Sequence, residues 1–258
     1  MKVLLAKKYN AEKHDIAGWL VSEKLDGMRA YWTGEELVTR GGKPIHAPSW
    51  FTEELPRGVE LDGELFAGRG EFQKTVSICR KKTPVNSEWE EITYMIFDMP
   101  SLEGDFEERY EELEKRFPLT ESATHWIQCV PHTEIESHLD LRKLLKEYED
   151  MGAEGLMLRN PRSLYKRKRS KDLLKVKSFK DDDAEIIGIQ KGEGKHEGRM
   201  GALICELDNG IEFKVGTGFS DKQRENPPKV GERIIFSYFE LTNAGVPRFP
   251  AYVGVRID

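Results

Sequence analysis

Two strand-like runs, Trp19-Leu20-Val21-Ser22-Glu23 and Met28-Arg29-Ala30-Tyr31-Trp32, are separated by only Lys24-Leu25-Asp26-Gly27. Aromatic and aliphatic side chains make both runs favour extended chain, and the Asp-Gly pair reads as a tight turn. A lysine so placed sits at a strand end, facing a cleft. Ile92-Thr93-Tyr94-Met95-Ile96-Phe97 is a third run of this kind, and Thr33-Gly34 and Asp62-Gly63 read as further turns. The first hundred residues are therefore expected to be mostly sheet. Two helices are expected beyond them. One spans Phe106 to Phe117 and stops before Pro118. The other spans Ser137 to Met151, with Leu141, Leu144, Leu145 and Tyr148 at helical spacing, Ser137 or Asp140 as its cap and Gly152 as its stop.

After Phe179 the pattern changes. Asp181-Asp182-Asp183 reads as a hydrophilic break, followed by short alternating segments with turns at Gly192, Gly194, Asn209-Gly210 and Gly231. Short strands with such punctuation suggest a small β-barrel of the OB type. The expected division is residues 1–180 and 181–258, with Phe179 to Asp183 as a hinge. A hydrophobic share of 38% beside 33% charged residues argues against long disorder and against membrane insertion. The apolar run after Met1-Lys2 is too short for a leader. The expectation is a cytoplasmic protein, or a viral one in its host cell; a mature periplasmic form would read the same. Three widely spaced cysteines, Cys79, Cys129 and Cys205, disfavour a disulfide framework or a metal cluster.

The net charge of -6 is unlike a nucleic-acid binder, yet the charge is segregated along the chain. Lys166-Arg167-Lys168-Arg169-Ser170-Lys171 is densely basic, with Lys175, Lys177 and Lys180 after it, whereas acidic residues crowd Glu103 to Glu114.

The segment Lys24-Leu25-Asp26-Gly27-Met28-Arg29 suits phosphoryl chemistry. A lysine with an ordinary pKa of ~10.4 becomes a nucleophile only where a neighbouring cation or desolvation favours its neutral form, and Arg29 or a bound metal would supply that. Its company is ordered. Thr39-Arg40-Gly41-Gly42 comes next, then Glu60-Leu61-Asp62-Gly63-Glu64-Leu65 and Met95-Ile96-Phe97-Asp98. Glu154-Gly155-Leu156-Met157-Leu158-Arg159 and Leu174-Lys175-Val176-Lys177 complete the set.

With these motifs the chain resembles the covalent nucleotidyltransferase superfamily of DNA ligases, RNA ligases and mRNA capping enzymes. Within it the chain is most similar to the minimal ATP-dependent DNA ligases of bacteria and viruses. Lys43-Pro44-Ile45-His46-Ala47-Pro48 and Gly216-Thr217-Gly218-Phe219-Ser220-Asp221 look like the bacterial type. The resemblance implies an α+β fold: a nucleotidyltransferase (ATP-grasp-like ligase) domain of antiparallel sheets and helices, followed by a C-terminal OB-fold β-barrel.

The resemblance also implies roles. Lys24 would be the adenylated nucleophile, with Asp26 and Arg29 near the reacting end and the ribose, Ser22 either hydrogen-bonding the adenine amine or serving structure alone, and Glu23 beside the nucleotide. Arg40 would contact ribose or the nick phosphate, and Glu64 would hold a ribose hydroxyl. Phe97 and Met157 would enclose the adenine. Glu154 would hold the metal, with Asp62 as a second candidate. Lys175 and Lys177, alternating along a strand and so sharing a face, would neutralise the α-phosphate. The family's final motif, usually Arg-x-Asp-Lys, is represented by Arg256-Ile257-Asp258 without its lysine, leaving Arg256 to orient pyrophosphate.

The implied cofactors are ATP and Mg²⁺, with Mn²⁺ as a substitute, and the implied partner is nicked double-stranded DNA, bound by a monomer with no membrane involved. Phosphate contacts should dominate, through Arg40, Lys166, Arg167, Lys168 and Arg169, and through Lys191, Lys195, His196 and Arg199 in the OB domain. The short turn from Gly192 to Gly198 leaves no room for a DNA-encircling latch. The alternatives are an RNA ligase, a GTP-using capping guanylyltransferase and a non-catalytic OB-fold binder.

Overall fold

The computed structural model describes residues 2–118, 126–178, 180–238, 241–242 and 244–256. The chain divides into two compact units, Met1–Lys177 and Ser178–Asp258. The strands of the first are β1 (Leu5–Lys8), β2 (Trp19–Glu23), β3 (Met28–Trp32), β4 (Leu37–Thr39), β5 (Leu61–Phe66), β6 (Thr93–Asp98), β7 (Ile127–Cys129), β8 (Thr133–Ile135), β9 (Leu156–Arg159) and β10 (Arg169–Val176). Its helices are α1 (Ser49–Thr52), α2 (Phe72–Cys79), α3 (Asn86–Trp89), α4 (Phe106–Arg116) and α5 (His138–Asp150).

These strands form two five-stranded sheets, ordered β1-β10-β9-β2-β8 and β4-β3-β5-β6-β7. The sheets are antiparallel except at two edges, where β1 pairs with β10 and β6 with β7 in parallel. A parallel neighbour needs a crossover, and between β6 and β7 the chain passes through α4. Asp105 and Glu108 form a capping box at the start of α4, which buries Phe106, Tyr110 and Leu113. Ser137 caps α5, whose Leu141 and Leu145 are buried under the first sheet, and Gly152 follows with φ +84°. The second sheet packs on Phe51, Trp89 and Phe106, all fully buried. All three cysteines are buried free thiols.

Two expected turns differ. Asp62-Gly63 lies inside β5, at a register shift against β6, and a Cβ at Gly63 would stand 2.6 Å from the Tyr94 ring and 2.7 Å from the Met95 carbonyl oxygen. The glycine serves close strand approach, not a turn. Lys24 to Gly27 is likewise no hairpin, because β2 and β3 belong to different sheets. The segment carries the chain across, and a Cβ at Gly27 would overlap the Leu65 carbonyl oxygen.

The second unit contains β11 (Lys180–Lys191), β12 (Met200–Glu206), β13 (Glu212–Val215), α6 (Asp221–Glu225), β14 (Arg233–Tyr238) and β15 (Ala251–Val255). The sheet order is β13-β12-β11-β14-β15, and its edges meet at a parallel bridge between Thr217 and Ala251. This is the partly open five-stranded barrel of the OB fold, filled by Ile186, Leu203, Cys205, Val215, Ile234 and Phe236. Asp181-Asp182-Asp183 is not a break, since it ladders onto β14 opposite Ser237, Phe236 and Ile235. The run is hydrophilic because it is largely solvent-exposed, and Asp183 accepts from Arg233 and Arg256. Of the expected hinge, residues 180–183 are thus strand, and Phe179 lies outside the described residues, as do Ile257 and Asp258 of the final motif. Among the described residues no helix is long and apolar enough to cross a membrane.

Candidate active site

Strand register gathers the motifs of the first unit. On the first sheet Ser22 pairs with Met157, and Met157 with Lys175, so the three share one face in a single row. Lys24 follows at the end of β2, its backbone N–H donating to the Gly155 carbonyl at 2.9 Å. On the second sheet Arg29 stands opposite Glu64. A cleft of about 660 Å³ is lined by Ser22, Glu23, Lys24, Arg29, Arg40, Glu64, Phe97, Met157, Arg169 and Lys175. That size suits a nucleotide-scale ligand.

The Lys24 ammonium donates to Glu154, a carboxylate only 9% exposed, and Lys177 donates to the same carboxylate. Lys177 lies one residue beyond the end of β10 and is not on the cleft wall, whereas Lys175 is. Burial and the charges of Lys24, Arg169 and Lys8 push the Lys175 pKa down. Burial raises Glu64 to about 8, although Lys24 and Arg29 oppose that rise. Glu23 spends its carboxylate on a two-pronged pair with Arg69, both contacts 2.8 Å.

Asp62, the second metal candidate, is engaged by protein donors. It is fully buried and off the cleft wall, and its oxygens accept from Arg29 Nε at 2.9 Å, Arg29 Nη2 at 2.6 Å and the Tyr165 hydroxyl. Burial opposes the Arg29 charge, but Asp62 more than offsets it and holds the guanidinium protonated. The carboxylate thereby aims Arg29 into the cleft, where the guanidinium carbon lies 5.3 Å from the Phe97 ring centre. Asp26 lies in the crossover but not on the cleft wall.

The basic run is split by its partners. Lys166 pairs with Asp172 at 2.5 Å, Arg167 bridges Glu60 and the Tyr31 hydroxyl, Lys168 is exposed, and Arg169 donates to the Ala6 carbonyl at the cleft. Lys191, Lys195, His196 and Arg199 belong to the second unit, where Arg199 pairs with Asp221 at 3.0 Å. Arg256, also there, is held by Asp183.

Sequence reasoning missed several cleft residues. Helix α2 presents Phe72 and Val76 to the cleft, four residues apart, a spacing that marks one helical face, and Arg80, capping its C-terminus, follows at the same interval. His132 and Arg159 also line it, and no local pattern around either distinguishes them. Arg159 is tied to a buried cluster: Asp98, fully buried, accepts from Arg109 Nε at 2.7 Å and pairs with Arg159 Nη2 at 2.9 Å, and the Phe106 ring lies 4.4 Å from the Arg159 guanidinium carbon.

A cation-lined cleft with a lysine on its wall, a ring and a thioether from its two sheets and one buried carboxylate can bind a nucleotide and take up its nucleotidyl group. Known proteins share this architecture. The ATP dependent DNA ligase domain family matches residues 4–177, and the DNA ligase OB-like domain family matches residues 191–256. A DNA ligase of Haemophilus influenzae is 38% identical over 250 residues, covering 97% of this chain and 90% of that protein. A solved Lig E DNA ligase superposes with a TM-score of 0.90 at 38% identity, covering 99% of each chain. The Chlorella virus DNA ligase–adenylate superposes at 0.58 with 27% identity, again covering 99% of each. With its nucleotidyltransferase unit, its OB unit and these relatives, the chain belongs to the ATP-dependent DNA ligases.

Proposed function

We propose that this ligase seals 5′-phosphate/3′-hydroxyl nicks in duplex DNA through an AMP carried on Lys24. One observation supports this reading above others: Lys24 stands where the chain crosses between two sheets, at a cleft walled by Phe97 from one and by Met157 and Lys175 from the other. In the first step the neutral Lys24 amine attacks the α-phosphorus of ATP. A nitrogen–phosphorus bond forms, the bond to pyrophosphate breaks, and the amine proton passes to solvent. In the second, a 5′-phosphate oxygen displaces Lys24 from that phosphorus, leaving an AMP-capped DNA end. In the third, the 3′-hydroxyl attacks the 5′-phosphorus and expels AMP. The protein's share is to orient groups and offset charge.

Phe97 and Met157 enclose the base, Glu64 holds a ribose hydroxyl, and Arg29 and Lys175 face the phosphate charge. Glu64, protonated over much of the neutral range, both donates and accepts there. Arg40 and Arg169 take nick phosphates, and Arg256 would exchange Asp183 for the departing pyrophosphate. Glu154 suits Mg²⁺, or Mn²⁺ in its place: its hard oxygens already face two ammonium groups, and Mg²⁺ asks for one or two carboxylates beside phosphate and water. Bound there, the ion would offset charge on the phosphates. The protein acts as a monomer.

The test is intact-protein mass after incubation with ATP and Mg²⁺, beside sealing of a labelled nick. Native protein should gain one AMP and seal, and Lys24→Ala should do neither. Label taken from GTP alone would point to the capping reaction instead.

A further inference from the structure

On the first sheet β8 runs antiparallel to β2 with Val21 opposite Thr133. The pairing ends there; Ser22 is the next residue of β2, and His132 immediately precedes β8. His132 thus enters the sheet beside the Ser22 end of the row Ser22, Met157, Lys175, and all four line the cleft. A nucleotide with its phosphates at Lys175 and its base on Met157 would turn the outer edge of that base toward Ser22 and His132.

The state of the imidazole is set by its surroundings. Nδ1 lies 2.8 Å from the Val130 carbonyl oxygen, which can only accept, so Nδ1 carries the proton. The Phe106 and Tyr110 rings hold the imidazole edge-on, with centres 5.3 and 4.6 Å away. Burial pushes its pKa down to about 4, and the nearby Arg159 charge adds to the effect. The ring is thus neutral in the physiological range. Nε2 is left as an acceptor, and it has no partner among the described residues.

We infer that His132 Nε2 accepts a hydrogen bond from the exocyclic amine of the ATP base and so selects adenine over bases with a carbonyl there. Guanine would bring an acceptor against an acceptor, at a site where the unpaired group loses its water. The inference rests on the lysyl-AMP reading above, because self-adenylation of Lys24 is its readout.

The experiment compares the rate of Lys24 labelling by ATP, by GTP and by purine riboside triphosphate, which lacks the amine, in native protein, His132→Phe and His132→Gln. Native protein should favour ATP over the purine nucleotide by about 10- to 100-fold in kcat/KM. His132→Phe should lose about that factor with ATP and change within about twofold with the purine nucleotide, which has no bond to lose. His132→Gln, whose amide oxygen can accept, should keep most of the preference. An equal drop with both nucleotides in His132→Phe, or an undiminished preference, overturns the role of His132 and leaves Lys24 untouched. Native protein that takes no label from any nucleotide overturns the lysyl-AMP reading itself, and the His132 inference with it.

Discussion

Replacing Asp98 by alanine should cost the first unit about 3–5 kcal/mol, the loss found when one partner of a buried ion pair is removed. The Asp98 carboxylate is fully buried between two guanidinium groups and also accepts from the Met99 backbone N–H at 2.8 Å. Once it is gone, Arg109 still donates to the Gly104 and Ser163 carbonyls. Arg159 keeps far less: it is 3% exposed, and its Nη1 already lacks a partner. Most of the penalty should therefore fall on Arg159. At roughly 2–4 °C per kcal/mol for a unit of this size, the midpoint should drop by about 6–20 °C. Trp19, Trp32, Trp50, Trp89 and Trp126 are the chain's five tryptophans and all lie in the first unit, so their fluorescence follows its unfolding alone. If stranded charge is the cause, Asp98→Ala combined with Arg159→Leu should be more stable than Asp98→Ala alone. A double variant no more stable than the single one would refute that reasoning, as would a single loss under about 1 kcal/mol.

Glu64 binds a proton more tightly in the folded protein, at about 8, than in the unfolded chain, so its contribution is full below the ordinary carboxylate pKa and is lost as pH rises toward 8. Glu64→Gln should flatten the fall in stability across that window, and an unchanged slope in thermal melts would remove Glu64 as its source. Gly27→Ala forces a Cβ against the Leu65 carbonyl oxygen and Glu64 Cγ, so the Lys24 crossover must shift. Nick sealing should fall well beyond what a stability loss of about 1–3 kcal/mol explains, and wild-type sealing rates would contradict the packing argument. Lys168→Ala with Arg169→Ala should weaken nick binding and lower the slope of log affinity against log salt by nearly ~2, one phosphate for each cation. A slope matching the native one in filter binding would take both residues off the DNA.

Where local chemistry decides structure, the sequence was a good guide. β2 and β3 span the same residues as the runs read from their side chains, and Ser137 caps α5 as its position suggested. The misreadings share a cause. Gly63 looks like a turn residue because glycine is usual in turns, but it answers to Tyr94 and Met95 on a strand some thirty residues away. Asp181 to Asp183 looks like a linker because it is polar, but its partners lie on β14, fifty residues on. Nothing in the residues around Asp62 announces Arg29 and Tyr165 as its partners, and only the fold brings them onto it. His132 becomes a cleft residue because the chain passes between the two sheets there, against Phe106 and Tyr110 of α4, and that packing is a long-range property of the fold.

The same separation of local from long-range explains how an acidic chain builds a site for polyphosphates. The cleft carries Lys24, Arg29, Arg40, Arg80, Arg159, Arg169 and Lys175 against Glu23 and Glu64. Neither acid weighs fully against them, since Glu23 is neutralised by Arg69 and Glu64 holds its proton up to about 8. The carboxylates that do engage these cations, Asp62, Asp98 and Glu154, are buried behind the wall. They orient the cations and leave the cleft surface positive. A net charge of -6 counts every carboxylate alike, whereas an incoming phosphate meets only those on the cleft wall, and there the balance has the opposite sign.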